Sequence, residues 1–171
     1  ASMNDIAEAA GVTKPVLYQH FDSKSDLYAA LLEEVGSRML AAIAKATAEA
    51  QDGREQTLRG FRAYFRWVAN SHDEFMLLFG GGARHDPAFA GQVRRITDEA
   101  AGAIAPLIAV DIDAAHRETL AHALVGLAEG ASRRLVGLGQ AFDPDEIARE
   151  VGGLAWAGLR AVSPTASRDD D

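Results

Sequence analysis

Cysteine is absent from this 171-residue chain, which excludes disulfides, thiolate metal sites and a cysteine nucleophile. No apolar run reaches the roughly 18 residues that a membrane span requires. The first residues, ASMND, also lack the basic and apolar regions of a secretory signal. These absences favour a cytoplasmic protein that makes no contact with a membrane.

The chain also has no excess of positively charged residues. The chain carries 17 Lys and Arg against 25 Asp and Glu, a formal net charge of −8. Proteins that bind nucleic acid over their whole surface are usually basic. Any contact with nucleic acid is therefore expected to be local and made by a few cations.

Motifs of catalysis are missing too, since the chain has no phosphate loop, no G-x-S-x-G and no H-E-x-x-H. The sequence therefore predicts that the protein is not an enzyme. His and Asp side chains in 72–74 and 85–86 match no definite metal spacing, so we expect no metal and no cofactor.

Helix dominates the pattern, because alanine and leucine are abundant, proline occurs only 5 times and no long period-2 pattern appears. An all-α protein is predicted. A hinge is expected at the three glycines 80–82 and a frayed tail at 163–171. The expected helices cover about 3–10, 13–21, 25–49, 54–71, 86–110, 113–138 and 144–162, with a short segment at 72–79.

One stretch is specific, DIAEAAGVTKPVLYQHF at residues 5–21. Two short helices joined at Gly11 would share a small apolar core, which is typical of a helix-turn-helix. Any αα-hairpin of a helical protein can have a similar pattern. The core is expected to contain Ile6, Ala10, Val12, Leu17 and Phe21.

The next residues, LYQHFDSK at 17–24 followed by Asp26, Leu27 and a long helix, resemble the TetR family of bacterial transcriptional regulators. The resemblance implies an N-terminal helix-turn-helix followed by an antiparallel helical domain for ligand binding and dimerisation. The domains would be 1–45, which includes the connecting helix, 46–162 and a disordered tail at 163–171. Family members have a further helix before the motif, whereas these residues open at the motif's first helix. DNA binding is therefore an expectation about the parent protein.

The resemblance also assigns DNA contacts. Residues at the start of the second helix would read base edges, and Thr13 would cap that helix and donate to phosphate. Tyr18, His20 and Lys24 match phosphate-contacting positions, although boundary packing, capping and plain solvation are the alternatives. The expected DNA-binding residues are Thr13, Lys14, Pro15, Val16, Tyr18, Gln19, His20 and Lys24.

A ligand pocket is implied in the second domain. An aromatic face on the helix at 54–71 is the candidate wall, opposite the arginines at 59, 62 and 66, and plain core is the alternative reading. An apolar pocket would suit a small hydrophobic effector. The candidate ligand residues are Phe61, Tyr64, Phe65, Val68, Phe75, Phe79, Phe89 and His122.

The last two long helices carry small residues that would permit close approach to a second copy, so a homodimer is expected. Packing within one chain is the alternative. The candidate interface residues are Ala123, Gly126, Gly130, Gly152, Trp156 and Leu159.

Together these features predict a ligand-responsive DNA-binding transcriptional regulator. The expected mode is a repressor that a small hydrophobic effector releases from a palindromic double-stranded operator. The alternative is a helical small-molecule-binding module without DNA-binding activity in this chain.

Overall fold

The computed structural model describes residues 2–139 and 141–162. Every regular element in those two ranges is helical, which confirms the predicted all-α class. The predicted tail at 163–171 lies outside the described residues. The helices are α1 Met3–Ala9, α2 Lys14–His20, α3 Lys24–Thr47, α4 Gly53–Asn70, α5 His72–Phe79, α6 Gly82–His85, α7 Ala90–Ile104, α8 Ala114–Gly137 and α9 Pro144–Arg160, with a 3₁₀ turn at Ala105–Leu107.

Capping side chains fix where the long helices begin. Ser23 accepts from the backbone N–H of Asp26 at the start of α3, and Asp52 accepts from that of Glu55 at the start of α4. Asp113 does the same for α8. Each cap satisfies a backbone donor that has no partner inside its helix.

The main core lies where α3, α4, α5 and α7 meet, with α8 and α9 packed beside them. Its centre is filled by aromatic and branched side chains that the helical spacing turns inward. The largest fully buried ones include Phe65, Phe75, Leu32, Leu78, Val35, Val68 and Val93.

The segment before α7 differs from the prediction. The helix expected from residue 86 begins at Ala90, because Asp86 uses its carboxylate to accept from the N–H of Ala88 in a turn that contains Pro87. The helix also ends at Ile104, before the position where Pro106 would break its hydrogen bonds.

The glycines at 80–82, where a hinge is predicted, lie in a turn and at the start of α6. Gly81 has φ of 101°, a conformation that favours glycine, and α6 starts immediately after it. None of the described helices has the combination of length and apolar character needed to cross a bilayer.

Candidate DNA-binding surface and ligand cavity

The first two helices form a small unit with its own core. Gly11 between them has φ of 68°, and the N–H of Val12 donates to the carbonyl of Ala7 at 3.0 Å, which closes the turn. A reciprocal cap starts α1, because Ser2 accepts from the N–H of Asp5 while its own N–H donates to the Asp5 carboxylate. These hydrogen bonds to Ser2 lower the pKa of Asp5.

The buried members of this unit are Met3, Ala7 and Leu17, with Ile6, Phe21 and Leu27 packed against them. Ala10 and Val12 are exposed, contrary to the expected core. Both follow the end of α1, where the chain has already turned away from the shared face. Met3 and Ala7, one helical turn apart, occupy that face instead.

The outward side of α2 carries the predicted DNA contacts. Val16 and Tyr18 are 38% and 43% exposed, which is high for apolar and aromatic side chains. The Nζ atom of Lys14 lies 5.7 Å from the centre of the Tyr18 ring. The remaining predicted contacts are also exposed, namely Thr13, Pro15, Gln19, His20 and Lys24.

Thr13 differs in one respect from the expectation. It occupies the N-cap position of α2 with extended backbone, but its hydroxyl makes no capping hydrogen bond. Pro15 lies within the first turn, where a missing N–H has no structural cost. Lys24 begins α3 directly after the Ser23 cap, so its ammonium group is close to a helix N-terminus that itself attracts anions.

A cavity of about 1120 Å³ lies among α3, α4, α7, α8 and α9, with the end of α5 beside it. Its lining follows α4 from Gly53 to Tyr64, a stretch about 16 Å long at 1.5 Å per residue. Exposed lining residues such as Ala48, Ala109 and Arg160 mark its opening, whereas Met39 is buried at the inner part. The shape and the mostly apolar lining suit an elongated hydrophobic molecule.

The structure divides the predicted ligand residues into two groups. Phe61, Tyr64 and Phe79 line the cavity. The others do not, because core packing uses them elsewhere or because they face outward. Phe65, Val68 and Phe75 are buried in the main core, Phe89 packs on Tyr28, and His122 is exposed.

Several lining residues were missed by the sequence reasoning. Trp156 and Leu159, which are predicted at a dimer interface, line the cavity. Glu129 is a lining carboxylate that is only 5% exposed, and it accepts from Nη1 of Arg133 at 3.2 Å. The glycine and alanine positions on α3 and α4, such as Ala44 and Gly60, were the available signal, since small side chains leave space between helices.

Only some of the residues predicted at the dimer interface are exposed. Ala123, Gly126 and Gly130 of α8 are exposed, and a Cβ added at either glycine would meet nothing within 4 Å. Gly152 is buried inside the chain, where an added Cβ would lie 3.1 Å from Leu58. It is therefore used for packing α9 on α4. Leu154, on the outer side of α9, is 65% exposed.

Helix α7 connects the cavity to α3, the helix that follows α1 and α2. Its last turns line the cavity at Thr97 and Ile104. Its first turns contact α3, since Nε2 of Gln92 donates to the carbonyl of Ala29 at 2.6 Å. An Arg95–Glu33 ion pair at 3.1 Å joins the same helices, and Phe89, the N-cap residue of α7, makes an edge contact with Tyr28 of α3 with ring centres 4.6 Å apart.

Within the described residues, no group of three or more His, Asp or Glu side chains is arranged to hold a metal ion. The His and Asp residues of 72–74 and 85–86 form no such group.

Comparison with known proteins gives two family matches. Residues 1–31 match the model for bacterial regulatory proteins of the tetR family, and residues 53–158 match the tetracyclin repressor-like C-terminal domain. The chain is 30% identical over 169 residues to the HTH-type transcriptional activator FasR of Mycolicibacterium smegmatis, and the match covers 98% of this chain and 77% of that protein.

Solved structures agree with these matches. A TetR-like transcriptional regulator from Rhodococcus sp. RHA1 is 30% identical with a TM-score of 0.73, over 94% of this chain and 85% of that one. The fatty acid degradation regulator FadR from Bacillus halodurans has a TM-score of 0.79 at 18% identity, over 95% of this chain and 89% of that one.

Proposed function

Because the chain belongs to the TetR family of bacterial transcriptional regulators, we propose that it is a DNA-binding regulator whose affinity for its operator is set by an elongated hydrophobic effector. The observation that carries the proposal is the cavity of about 1120 Å³ beside α7, the helix that also contacts α3. Residues 1–45 would read DNA, and 46–162 would bind the effector and dimerise.

DNA recognition is assigned to the exposed side of α2. Lys14, Pro15, Val16 and Gln19 would meet base edges in the major groove, where a recognition helix presents its N-terminal residues. Phosphate contacts would come from exposed groups beside them, which fix register without reading sequence. These are Thr13, Tyr18, His20 and Lys24.

Effector binding is assigned to the cavity. Phe61, Tyr64 and Phe79 would contact the apolar body of the ligand, together with Trp156 and Leu159. Burial of each methylene group supplies about 0.8 kcal/mol. A preference of about 1–3 kcal/mol between two states changes DNA affinity 5- to 150-fold.

The signal would pass through α7. A ligand beside Thr97 and Ile104 would shift α7, and Gln92 and Phe89 would then move the first turns of α3. Half-sites on one face of DNA lie about 34–36 Å apart. A change in the separation of two recognition helices would prevent both from docking together.

Dimerisation is assigned to the outer side of α8 and α9, with Ala123, Gly126, Gly130 and Leu154 in the interface. A two-fold dimer would match a palindromic double-stranded operator. Action on chromosomal DNA would place the protein in the cytoplasm. Its relatives are transcriptional regulators, and we propose no catalytic role.

The decisive experiment uses the complete protein. Selection from random duplex DNA would recover an operator, and titration of that operator with and without straight-chain fatty acids as probes would measure the switch. We expect a palindromic site whose affinity changes at least fivefold with a bound probe. Failure to select any DNA would favour the alternative function, a small-molecule-binding module without DNA-binding activity.

Repression and activation predict different outcomes in the same system. The expected repressor would lower transcription from its operator until the effector is added. The 30% identical relative is an activator, which favours the second mode, in which DNA-bound protein raises transcription. In vitro transcription with and without the protein distinguishes the two by the sign of the change.

A further inference from the structure

A second groove, separate from the ligand cavity, lies along α3 and α4 and has a volume of about 950 Å³. Three of its lining positions are alanine, Ala42 and Ala46 on α3 and Ala63 on α4, and these small side chains leave the space open. Leu58 and Trp67 extend the apolar part of the lining. We call this feature the arginine groove because its remaining lining includes Arg54, Arg59, Arg62 and Arg66.

The charge of the groove is opposite to that of the whole chain. Its lining carries those four arginines against two carboxylates, Asp52 and Glu55, in a protein of net charge −8. Both carboxylates already accept hydrogen bonds within the chain. Asp52 caps α4, and Glu55 accepts from Arg59 at 2.7 Å and from the N–H of Gln51.

One acidic residue of α9, Asp145, forms ion pairs with two arginines of the groove. Asp145 lies 2.8 Å from Nη2 of Arg66 and 3.5 Å from Nε of Arg62, and Arg149 of the same helix adds a third positive charge nearby. The hydrogen bond from Arg66 is the main reason that the pKa of Asp145 is lowered. Arg54 has no ion pair within the described part of the chain. Donor capacity therefore remains for an anionic partner.

We propose that the arginine groove docks an acidic amphipathic helix of a partner protein. Arg59, Arg62 and Arg66 follow the i, i+3, i+7 spacing over about 10 Å of α4, and glutamates with that spacing on a facing helix would match them. Guanidinium forks fit carboxylates, and Arg and Trp are enriched where protein partners bind. A small phosphate ligand would leave the alanine and Trp67 lining unused, which favours a helix.

Fluorescence anisotropy with a labelled synthetic probe tests this proposal on the full chain. The probe is an amphipathic peptide with glutamates at i, i+3 and i+7 beside leucines, and its control carries glutamine at those positions. We expect the glutamate peptide alone to bind, with affinity that falls as salt is added. Arg54→Ala combined with Arg62→Ala should weaken binding about tenfold.

A matched control is Arg94→Ala, an exposed arginine of α7 outside the groove, which should leave peptide affinity unchanged. Thermal melts of each variant separate loss of binding from loss of fold. Equal binding of the glutamine peptide, equal loss in Arg94→Ala, or no binding of the glutamate peptide would each overturn the proposal.

Two other occupants of the arginine groove would give different results in this assay. Displacement of the peptide by polyphosphate or duplex DNA at lower concentration would assign the groove to nucleic acid. Peptide binding that requires removal of 163–171, which ends in three aspartates, would assign it to the chain's own tail. Either result would reject a partner helix.

Discussion

Single side chains divide the aromatic face of α4 between two roles. Phe65 is completely buried, and its ring contacts Phe61 and Tyr64 at centroid distances of 6.1 and 5.5 Å. Phe61 and Tyr64 themselves line the cavity. The sequence predicts one broad aromatic face, and only the neighbours of each ring decide which part of it borders empty space.

This division predicts different effects of two alanine substitutions on ligand binding. Phe65→Ala should cost about 3–5 kcal/mol of unfolding free energy, because it leaves a cavity in close-packed surroundings. Phe61→Ala should also cost stability, because Phe61 is a buried member of the main core, and should in addition reduce the thermal stabilisation given by a bound fatty acid probe, because its ring borders the cavity. Melts of both variants with and without the probe measure this. Intact ligand stabilisation in Phe61→Ala would place the ligand elsewhere.

Lys24 carries a second prediction at this scale, because it is exposed at the start of α3. Lys24→Ala should weaken binding to operator and scrambled duplex alike and reduce the salt slope by about one, since one phosphate contact is lost. Lys45→Ala removes the same charge from the far end of that helix and serves as the control. Unchanged operator affinity in Lys24→Ala would contradict the phosphate role.

At the scale of helices, local signals predicted much of what the structure shows. Gly11 and Pro15 correctly predicted the ends of the two short helices, although the Thr13 hydroxyl makes no capping hydrogen bond, and helical spacing predicted the long helices. The predicted start of α7 was wrong because the side chain of Asp86 accepts from a backbone N–H group in a turn. Hydrophobic periodicity carries no information about such hydrogen bonds.

The candidate site was less predictable. Exposure of the α2 residues follows from their position in a short motif, whereas the cavity depends on six helices coming together. Gly152, Trp156 and Leu159 show what helical spacing alone does not predict. A helical wheel places them on one face of α9 but does not reveal that α4 and the cavity adjoin that face.

The contact between α3 and α7 gives the prediction for this scale. A Cβ on Gly36 would lie 2.8 Å from Cδ1 of Ile96, so Gly36→Ala should push the two helices apart. We expect about 1–3 kcal/mol of destabilisation and a DNA affinity that no longer responds to the effector. Gly102→Ala on α7 has open space and should instead stabilise by up to about 1 kcal/mol with the response intact. A normal effector response in Gly36→Ala would argue against transmission through this contact.

For the whole molecule, the outer side of α8 and α9 is the proposed contact with a second copy. Leu154 is the most exposed large hydrophobic side chain among those of the described residues, and Ala123, Gly126 and Gly130 lie exposed on the neighbouring helix. Small residues allow helix backbones to approach closely, and a two-fold interface uses the same surface on both copies.

Two substitutions should therefore separate the dimer without unfolding the monomer. Leu154→Glu would place a charge where a second copy buries it, and Gly126→Leu would fill the space that the partner's helix needs. Sedimentation should show a dimer for the natural sequence and a monomer for each variant, with weaker binding to a palindromic operator because only one half-site is held. Met76→Glu, exposed on α5, is the control that should remain dimeric. A natural chain that sediments as a monomer at all concentrations, or a Leu154→Glu variant that stays dimeric, would refute this interface.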